Sequence, residues 1–294
     1  MTTVSPMSEQ RTFANPTVLE FYKELPFNYR ESVDEQAQAV RSHDGVAAYP
    51  VLTKLLQPHT RVLDVGCGAG WLSNSIACHY RSKVTGIDFN PVAVERARAV
   101  AGVLGLSTAF HVADLFLFSP DQLADVVVSL GVLHHTNNCH AAIRRIFNHF
   151  VRRGGHAFIG LYHAFGRRPF LEYFQNMREG GASEEEMFQR YRELMPQATD
   201  EIHARSWFRD QVLHPHETQH TLAEMMPLFD ECGMHLLSTS INRFGPIGDT
   251  ARLLDEEKEY EALSRKRLGE GRYFPGFFVF LVKRREEITA NGSA

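Results

Sequence analysis

The stretch RVLDVGCGAG, residues 61–70, decides the fold of this chain. Val62, Leu63 and Val65 make a short β-rich apolar run, which predicts a buried strand. Three glycines follow the strand at alternate positions: Gly66, Gly68 and Gly70. Because glycine has no Cβ, this turn lets a ligand approach the backbone, and the next residues, 69–80, have helical spacing. A strand, a glycine turn and a helix in this order are typical of a nucleotide-type binding site.

The spacing of the glycines narrows the class of ligand. The turn reads G-x-G-x-G, whereas the dinucleotide fingerprint is G-x-G-x-x-G and the P-loop needs a closing Gly-Lys-Ser/Thr. Asp64 stands inside the strand, two residues before the first glycine. A carboxylate there can accept from a ligand ammonium group or orient the turn, and it would repel a pyrophosphate. The pattern therefore favours a cationic ligand over NAD.

Two further predicted strands end next to carboxylates. KVTGIDFN, residues 83–90, predicts a second strand that ends in Asp88, about twenty residues past the glycines, where a carboxylate can take both hydroxyls of a ribose. Phe89 offers a face for an adenine ring. A third strand over residues 108–112 leads to Asp114, which is placed to accept from an adenine amino group.

The next segments extend the same pattern. Residues 124–135, ADVVVSLGVLHH, are nearly all apolar, as a central parallel strand should be. A fifth strand is predicted to end near Tyr162. Later, residues 234–241 and 277–283 predict a sixth and a seventh strand, and the charged stretch between them, residues 250–268, predicts one solvated surface helix.

Five segments taken in order resemble the class I S-adenosylmethionine-dependent methyltransferases. They are LDVGCGAG, GIDFN, ADLF, DVVVSLGVLHH and RRGGHAFIGLYH, and the resemblance covers residues 57–162. It implies an α/β, Rossmann-like fold: a seven-stranded, mostly parallel sheet with one antiparallel strand and helices on both faces. It also implies S-adenosylmethionine as the cofactor.

The resemblance assigns roles to particular residues. Asp64 and the glycine turn are expected to hold the methionyl part of the cofactor, Asp88 the ribose and Asp114 the adenine. The predicted cofactor-binding residues are Asp64, Gly66, Cys67, Gly68, Gly70, Asp88, Phe89, Asp114, Leu115 and Leu130. One subgroup motif is missing: Ser129-Leu130-Gly131-Val132 stands where methyltransferases of nucleobase or glutamine nitrogens carry Asn/Asp/Ser-Pro-Pro-Tyr, which disfavours their route.

Two segments lie outside this core. The first, residues 1–56, predicts a helical cap rich in aromatic side chains, which either only pack or close over the cofactor. In the second case Tyr22 or Tyr29 would touch the methionyl carboxylate or the acceptor. By resemblance, the insertion over residues 163–220 is expected to be the acceptor lid. Residues 221–285 would complete the sheet, and residues 286–294 would form a flexible tail.

His134 and His135 are the predicted catalytic residues. They follow the fourth strand, at the edge where open α/β sheets bind ligands. Neighbours in an extended segment face opposite sides, so one of the two should point into the cleft. An imidazole with a near-neutral pKa would serve as a general base if the acceptor must lose a proton. Tyr162 and His163, at the end of the fifth strand, are predicted substrate contacts.

The insertion contains the pattern H-x-H-x-x-x-H at His214, His216 and His220. Imidazoles at these positions could bind a metal, with Asp210 or Glu217 completing the set. Pro215 extends the chain between the first two histidines, so their side chains should diverge. A substrate contact by His214 or His216 is therefore favoured, and no metal is predicted.

Composition bounds the remaining alternatives. The 294 residues carry a net charge of −4 and no strongly basic run, so nothing in the charge pattern favours nucleic acid. No apolar segment is long enough to span a bilayer, and the four cysteines show no C-x-x-C spacing. These features predict a cytoplasmic enzyme with reduced thiols that methylates a small molecule by in-line displacement. The alternatives are a tRNA or protein methyltransferase, a nicotinamide-dependent oxidoreductase and a catalytically silent binding module; the oligomeric state is left open.

Overall fold

The computed structural model describes residues 15–30, 32–196 and 200–286. Seven strands of the described residues form one sheet in the order β3-β2-β1-β4-β5-β7-β6. They are β1 (Arg61–Val65), β2 (Lys83–Asp88), β3 (Ala109–Val112), β4 (Ala124–Leu130), β5 (Val151–Tyr162), β6 (Met234–Thr239) and β7 (Phe277–Arg284). β7 runs antiparallel to both of its neighbours, while the five strands from β3 to β5 pair in parallel. This confirms the predicted Rossmann-like fold class.

Helices cover both faces and both ends of the sheet. They are α1 (Pro16–Glu24), α2 (Val33–Ser42), α3 (Pro50–Thr53), α4 (Trp71–Tyr80), α5 (Pro91–Leu104), α6 (Cys139–His149), α7 (Ala164–Glu179), α8 (Glu184–Leu194), α9 (Glu201–Phe208), α10 (Leu222–Glu231), α11 (Thr250–Lys258) and α12 (Tyr260–Gly269). A 3₁₀ turn (Leu133–His135) and a π-helix (Arg209–Leu213) complete the list. None of the helices in the described ranges is long and apolar enough to cross a membrane.

Alternate residues of the central strands supply two separate cores. Leu63 and Val127 pack with α6 and α10 on one face, whereas Val62 and Val126 pack with α3 and α4 on the other. All four side chains are buried. Burial on both faces explains why these strands read as continuous apolar runs, and it holds the carboxyl ends of β1, β2 and β4 in fixed relative positions.

The insertion after β5 has a small core of its own. Aromatic side chains of α7, α8 and α9 pack there, among them Phe170, Phe188 and Phe208. The insertion begins at His163 and returns at His220, and these two residues form an isolated parallel β-bridge. The chain therefore leaves the sheet and rejoins it at one place.

Three predicted features differ in the structure. β4 ends at Leu130, because Gly131 takes a positive φ of 76°, and residues 133–135 turn into a 3₁₀ helix instead of continuing the strand. The helix predicted over residues 250–268 is interrupted at Glu259 and becomes α11 and α12. Its surface is not fully solvated either, as Glu257 is buried at the N-terminus of α10, where unpaired backbone N–H groups favour a carboxylate.

The outer boundaries of the predicted segments are only partly described. Residues 1–14 of the expected cap and residues 287–294 of the expected tail lie outside the described residues. The remainder of the cap consists of α1, α2 and α3 and the chain between them.

Candidate active site

A cleft lies at the carboxyl ends of β1, β2 and β4. The loops after these strands form its floor, α1 covers it, and the π-helix closes one end. This position is where open α/β sheets bind their ligands.

Gly66 and Gly68 form the floor of the cleft beside β1. Both take positive φ angles, 77° and 51°. A Cβ atom on Gly66 would lie 2.4 Å from the side chain of Val132, whereas a Cβ atom on Gly68 would have no heavy atom within 4 Å. The backbone at Gly68 thus borders open space that a ligand can fill, as close approach to a glycine turn requires.

Asp88 joins the end of β2 to the glycine turn. Its Oδ2 accepts from the backbone N–H of Gly68 at 2.9 Å, and its Oδ1 accepts from that of Asn90 at 2.8 Å. Burial raises the pKa of this carboxyl, while the backbone donors act in the opposite direction. Each oxygen keeps a lone pair for ligand hydroxyls, so the carboxylate is oriented before any ligand arrives.

Asp64 lies beneath the turn, outside the lining of the cleft. It is 2% exposed and accepts from the Ser73 hydroxyl at 2.6 Å. Burial, reinforced by the nearby charge of Asp88, raises the pKa of Asp64 to about 7. Among the described residues the carboxylate has no ion-pair partner, so a cation bound above the turn would favour its charged form.

Cys67 and Gly70 also lie behind the wall. Cys67 is buried against Phe110 and the backbone of Gly86. A Cβ atom on Gly70 would lie 2.6 Å from the Cβ of Ala97, so this glycine permits the approach of α5. The predicted cofactor residues that do line the cleft are Gly66, Gly68, Asp88, Phe89, Asp114, Leu115 and Leu130.

One of the two tyrosines that the sequence predicts as substrate contacts in the cap lines the cleft. Tyr22 lines it, together with Val18 and Phe27. Tyr29 lies on the outer side, where its hydroxyl accepts from Arg96 at 2.5 Å and its ring stacks on the same guanidinium.

Asp210, on the π-helix, closes the end of the cleft away from the glycines. Its Oδ1 accepts from the Tyr22 hydroxyl at 2.5 Å, and its Oδ2 accepts from the Tyr162 hydroxyl at 3.2 Å and from the Gln211 amide at 2.8 Å. Burial raises the pKa of Asp210. The sequence indicates Asp210 only as a possible partner of the histidines in a metal set, because nothing in the sequence marks a π-helix, an element that is frequent at functional sites.

His134 and His135 form a hydrogen-bonded pair, with their Nε2 atoms 3.1 Å apart. Nδ1 of His134 accepts from the backbone N–H of Tyr162, and Nδ1 of His135 lies 2.9 Å from the carbonyl oxygen of His216. A carbonyl only accepts, so His135 donates from Nδ1 and His134 donates from Nε2 to the free Nε2 of His135. Both rings are therefore neutral, and the lone pair of His135 is already engaged.

The expected near-neutral base is not present. Burial lowers the pKa of His135 to about 4 and that of His134 well below its usual range. The two side chains also do not face opposite sides, because a 3₁₀ turn has replaced the strand. His135 lines the cleft, with Nε2 at 3.9 Å from Oδ1 of Asp210, whereas His134 is wholly buried behind it.

His214 and His216 support His135 from the insertion. The His214 ring stacks on the His135 ring at 3.7 Å, and burial lowers the pKa of His214 to about 3. His216 supports His135 through its backbone carbonyl oxygen, which accepts from Nδ1 of His135. Neither side chain lines the cleft.

A buried ion pair anchors this part of the insertion. Arg167 of α7 is fully buried and binds both carboxylate oxygens of Glu217, at 2.9 and 2.7 Å. Its guanidinium also lies 3.8 Å above the ring of Tyr162. The Tyr162 ring in turn contacts the His134 ring, and the two ring centroids are 4.1 Å apart. Tyr162 does not line the cleft, and it contacts the lining residues Asp210 and His135 from behind.

His163 serves a structural purpose instead of the expected substrate contact. It is fully buried, accepts from the backbone N–H of Gly166 at Nδ1 and donates from Nε2 to Glu257 at 2.9 Å. Glu257 in turn accepts from the first backbone N–H groups of α10. The pair fixes α10 and α11 against the end of β5, outside the cleft.

Comparison with known proteins agrees with this geometry. Residues 56–165 match the family model described as a methyltransferase domain. The chain is 30% identical over 158 residues to the ubiquinone biosynthesis O-methyltransferase of Proteus mirabilis, which covers 50% of this chain and 61% of that protein. It is 41% identical over 81 residues to ribosomal RNA small subunit methyltransferase C of Salmonella arizonae, which covers 26% of this chain and 24% of that protein.

The fold also matches a solved complex of PKMT2 from Rickettsia typhi with AdoHcy. The TM-score is 0.56 at 15% identity, over 80% of this chain and 50% of that one. The chain spans less than two thirds of the length of each of these three relatives. Since one relative modifies ribosomal RNA by name, the expectation that nucleic acid is an improbable partner has no support from the comparisons.

Proposed function

We propose that this chain, which carries a class I S-adenosylmethionine-dependent methyltransferase domain in residues 56–165, methylates a small-molecule acceptor. One observation carries the proposal. A single continuous cleft joins the glycine turn and Asp88 to an enclosed end formed by Tyr22, His135 and Asp210. The family match removes the ground for the nicotinamide-dependent alternative.

The residues at the first end fit the cofactor. The open backbone at Gly68 provides room for its methionyl part, Asp88 offers carboxylate lone pairs for the ribose hydroxyls, and Phe89, Asp114 and Leu115 surround the place for adenine. Asp64, below the turn, would ionise more readily beside the ammonium group and so attract it. When bound, S-adenosylmethionine supplies a methyl group that its sulfonium centre has already activated.

The protein contributes alignment and exclusion of water. Val18 and Phe27 of the cap lie over the cleft, so closure of the cap places apolar side chains around the reacting atoms. Holding two reactants in line in a dry site accounts for a large part of the rate that such transfers need.

Asp210 and Tyr22 are placed to remove a proton from the acceptor. The Tyr22 hydroxyl already points at Oδ1 of Asp210, so it can pass a proton to that carboxylate while it takes one from an acceptor hydroxyl or ammonium. His135, held neutral by His134 and His216, would contact the acceptor from the side. In this scheme His134 orients His135 and takes no part in the chemistry.

An RNA acceptor is the second candidate, and the Salmonella relative is the observation in its favour. The enclosure of the acceptor end by α1 and the π-helix supports a small molecule instead, since an RNA base would have to be inserted past the cap.

The test begins with calorimetry of the chain with S-adenosylmethionine, S-adenosylhomocysteine and NAD⁺ in parallel. We expect binding of the first two and none of the third. A labelled methyl donor is then supplied with a metabolite extract and, separately, with ribosomal and transfer RNA. Label in small molecules alone supports the proposal, label in RNA alone replaces it with the second candidate, and the absence of cofactor binding contradicts both.

A further inference from the structure

Three side chains outside the cleft converge as a set of metal ligands. His140 stands in the first turn of α6, His220 at the end of the insertion and Glu224 in the first turn of α10. One ligand atom from each lies within 4.8 Å of the other two. We propose that these three residues bind a divalent transition-metal ion, with Zn²⁺ as the best match.

Nε2 of His140 makes no hydrogen bond among the described residues. Its nearest charged neighbour is Oε1 of Glu224, at an ion-pair distance of 2.7 Å. Nδ1 of His220 lies 3.2 Å from the same oxygen. Two imidazole nitrogens and a carboxylate oxygen are thus close enough together to bind one ion.

Thr218 orients the second imidazole. Its hydroxyl oxygen lies 2.8 Å from Nε2 of His220 and 3.1 Å from the carbonyl oxygen of His134. Nδ1 of His220 is hydrogen-bonded to Oε1 of Glu224, and because a carboxylate only accepts, Nδ1 carries the proton while no ion is bound. A metal ion bound at Nδ1 would take the place of this proton. Outer hydrogen bonds such as the one to Thr218 are characteristic of histidines that bind metals.

The donor set selects the class of metal. Imidazole nitrogens suit Zn²⁺ and its neighbours in the first transition row, whereas Mg²⁺ and Ca²⁺ prefer oxygen. Three protein ligands leave a fourth position for water, and the side chains of His140 and Glu224 are 38% and 37% exposed, which gives solvent access. Of the three histidines in H-x-H-x-x-x-H, only His220 belongs to this cluster.

A bound ion would connect three parts of the fold. It would tie α6, which follows the His134–His135 turn, to α10 and to the end of the insertion. Because a preformed site in the folded chain does not persist when the chain unfolds, binding should raise the thermal stability.

The experiment uses the full chain without a polyhistidine tag. Zn²⁺ is titrated by calorimetry and, separately, thermal unfolding is followed with Zn²⁺ or Mg²⁺ present. The variants are His140→Ala and Glu224→Gln. Glutamine retains the capping box with Thr221 while it removes the anionic ligand, so the helix start is preserved. His149→Ala, an exposed histidine of the same helix α6, is the matched control.

We expect one Zn²⁺ per chain in the wild type and in His149→Ala, a higher unfolding temperature with Zn²⁺, and no effect of Mg²⁺. Both cluster variants should bind at least about tenfold more weakly and lose the thermal shift. Absence of saturable binding to the wild type overturns the proposal. So does unchanged affinity in both cluster variants, which would place the ion elsewhere.

Discussion

The Tyr22 hydroxyl donates to Oδ1 of Asp210 across 2.5 Å and so joins the N-terminal cap to the insertion at the closed end of the cleft. The two residues are 188 positions apart in the chain. Their contact forms the proposed acceptor end of the cleft from two segments that do not belong to the predicted cofactor-binding core.

Tyr22→Phe should reduce turnover by roughly a hundredfold, the usual contribution of a positioned proton-transfer group, and leave cofactor affinity near normal. The matched control is Tyr29→Phe, since Tyr29 belongs to the same cap but faces Arg96 outside the cleft. Steady-state rates and calorimetry with S-adenosylhomocysteine measure the two effects. Equal rates in the two variants would remove the Tyr22 hydroxyl from the chemistry.

Gly68→Val should abolish cofactor binding, because its side chain would enter the open space beside the turn. Valine at a positive φ also strains the backbone, so the control must carry the same strain. Gly105→Val serves, as Gly105 has a φ of 68° and open space around it, at the end of α5. Calorimetry should show binding only in the control, and circular dichroism should show both variants folded. Retained affinity in a folded Gly68→Val protein would contradict the assignment of this site.

Asp64→Asn should weaken binding of S-adenosylmethionine and yet stabilise the free protein at pH 8. The pKa of Asp64 is about 7 in the folded chain and lies near 3.8 in its ordinary state, so the folded state loses stability as the pH rises through 7. Asparagine removes that penalty and can still accept from Ser73. Denaturant unfolding at pH 5 and pH 8 tests this: the gain should be larger at pH 8. An equal loss of stability at both pH values would instead indicate that Asp64 has a purely structural role.

The contribution of His135 to stability should fall as the pH is lowered from about 6.5 to 4, opposite in sign to that of Asp64 in the same window. His135 has a folded pKa of about 4, below its ordinary 6.5, so the unfolded chain binds more protons in this window. His135→Gln should remove this contribution, whereas His149→Gln, at an exposed position on α6, should not. For the same reason turnover should show no step due to His135 between pH 6 and 8. A step there that His135→Gln removes would restore the general-base hypothesis.

Arg167→Met should destabilise the protein by about 3–5 kcal/mol, because the Glu217 carboxylate would remain in the interior without its partner. The double variant Arg167→Met with Glu217→Leu should recover much of that loss. Arg168→Met is the control: the neighbouring arginine is half exposed and meets Glu261 at 3.4 Å, so solvent screens this ion pair and its loss should change stability little. Denaturant unfolding measures all three. If the double variant were no more stable than Arg167→Met, the loss would come from packing on Tyr162.

The sequence predicted the sheet well, and seven of the ten residues proposed to bind the cofactor line the cleft, because both depend on local patterns. Apolar runs buried on both faces identify strands such as β1 and β4, and the positive φ angles of Gly66 and Gly68 are a property of glycine itself. The strand boundaries agree within a few residues except at the end of β4. There Gly131 begins a turn, but the residues after it are apolar, so in the sequence they resemble a continuation of the strand.

The acceptor end was predicted less completely, because long-range contacts create it. Asp210 enters the cleft only through the π-helix and its bonds to Tyr22 and Tyr162, which no spacing in the sequence reveals. His163 has the residue type and position of a site residue, yet its bond to Glu257, 94 residues away, makes it part of the core. The lowered pKa of His135 likewise depends on burial by segments far along the chain.

The bridge between His163 and His220 has a consequence for how this protein can diverge. The two ends of the insertion meet at this bridge, so the insertion is a closed loop. Its length and its residues can change at a small cost in loop-closure entropy and without shifting the strands at its base. Natural or designed descendants could therefore exchange the whole insertion for another of different shape. They would retain one methyl-donor platform and acquire new acceptors, provided that the replacement brings its own counterpart of Asp210.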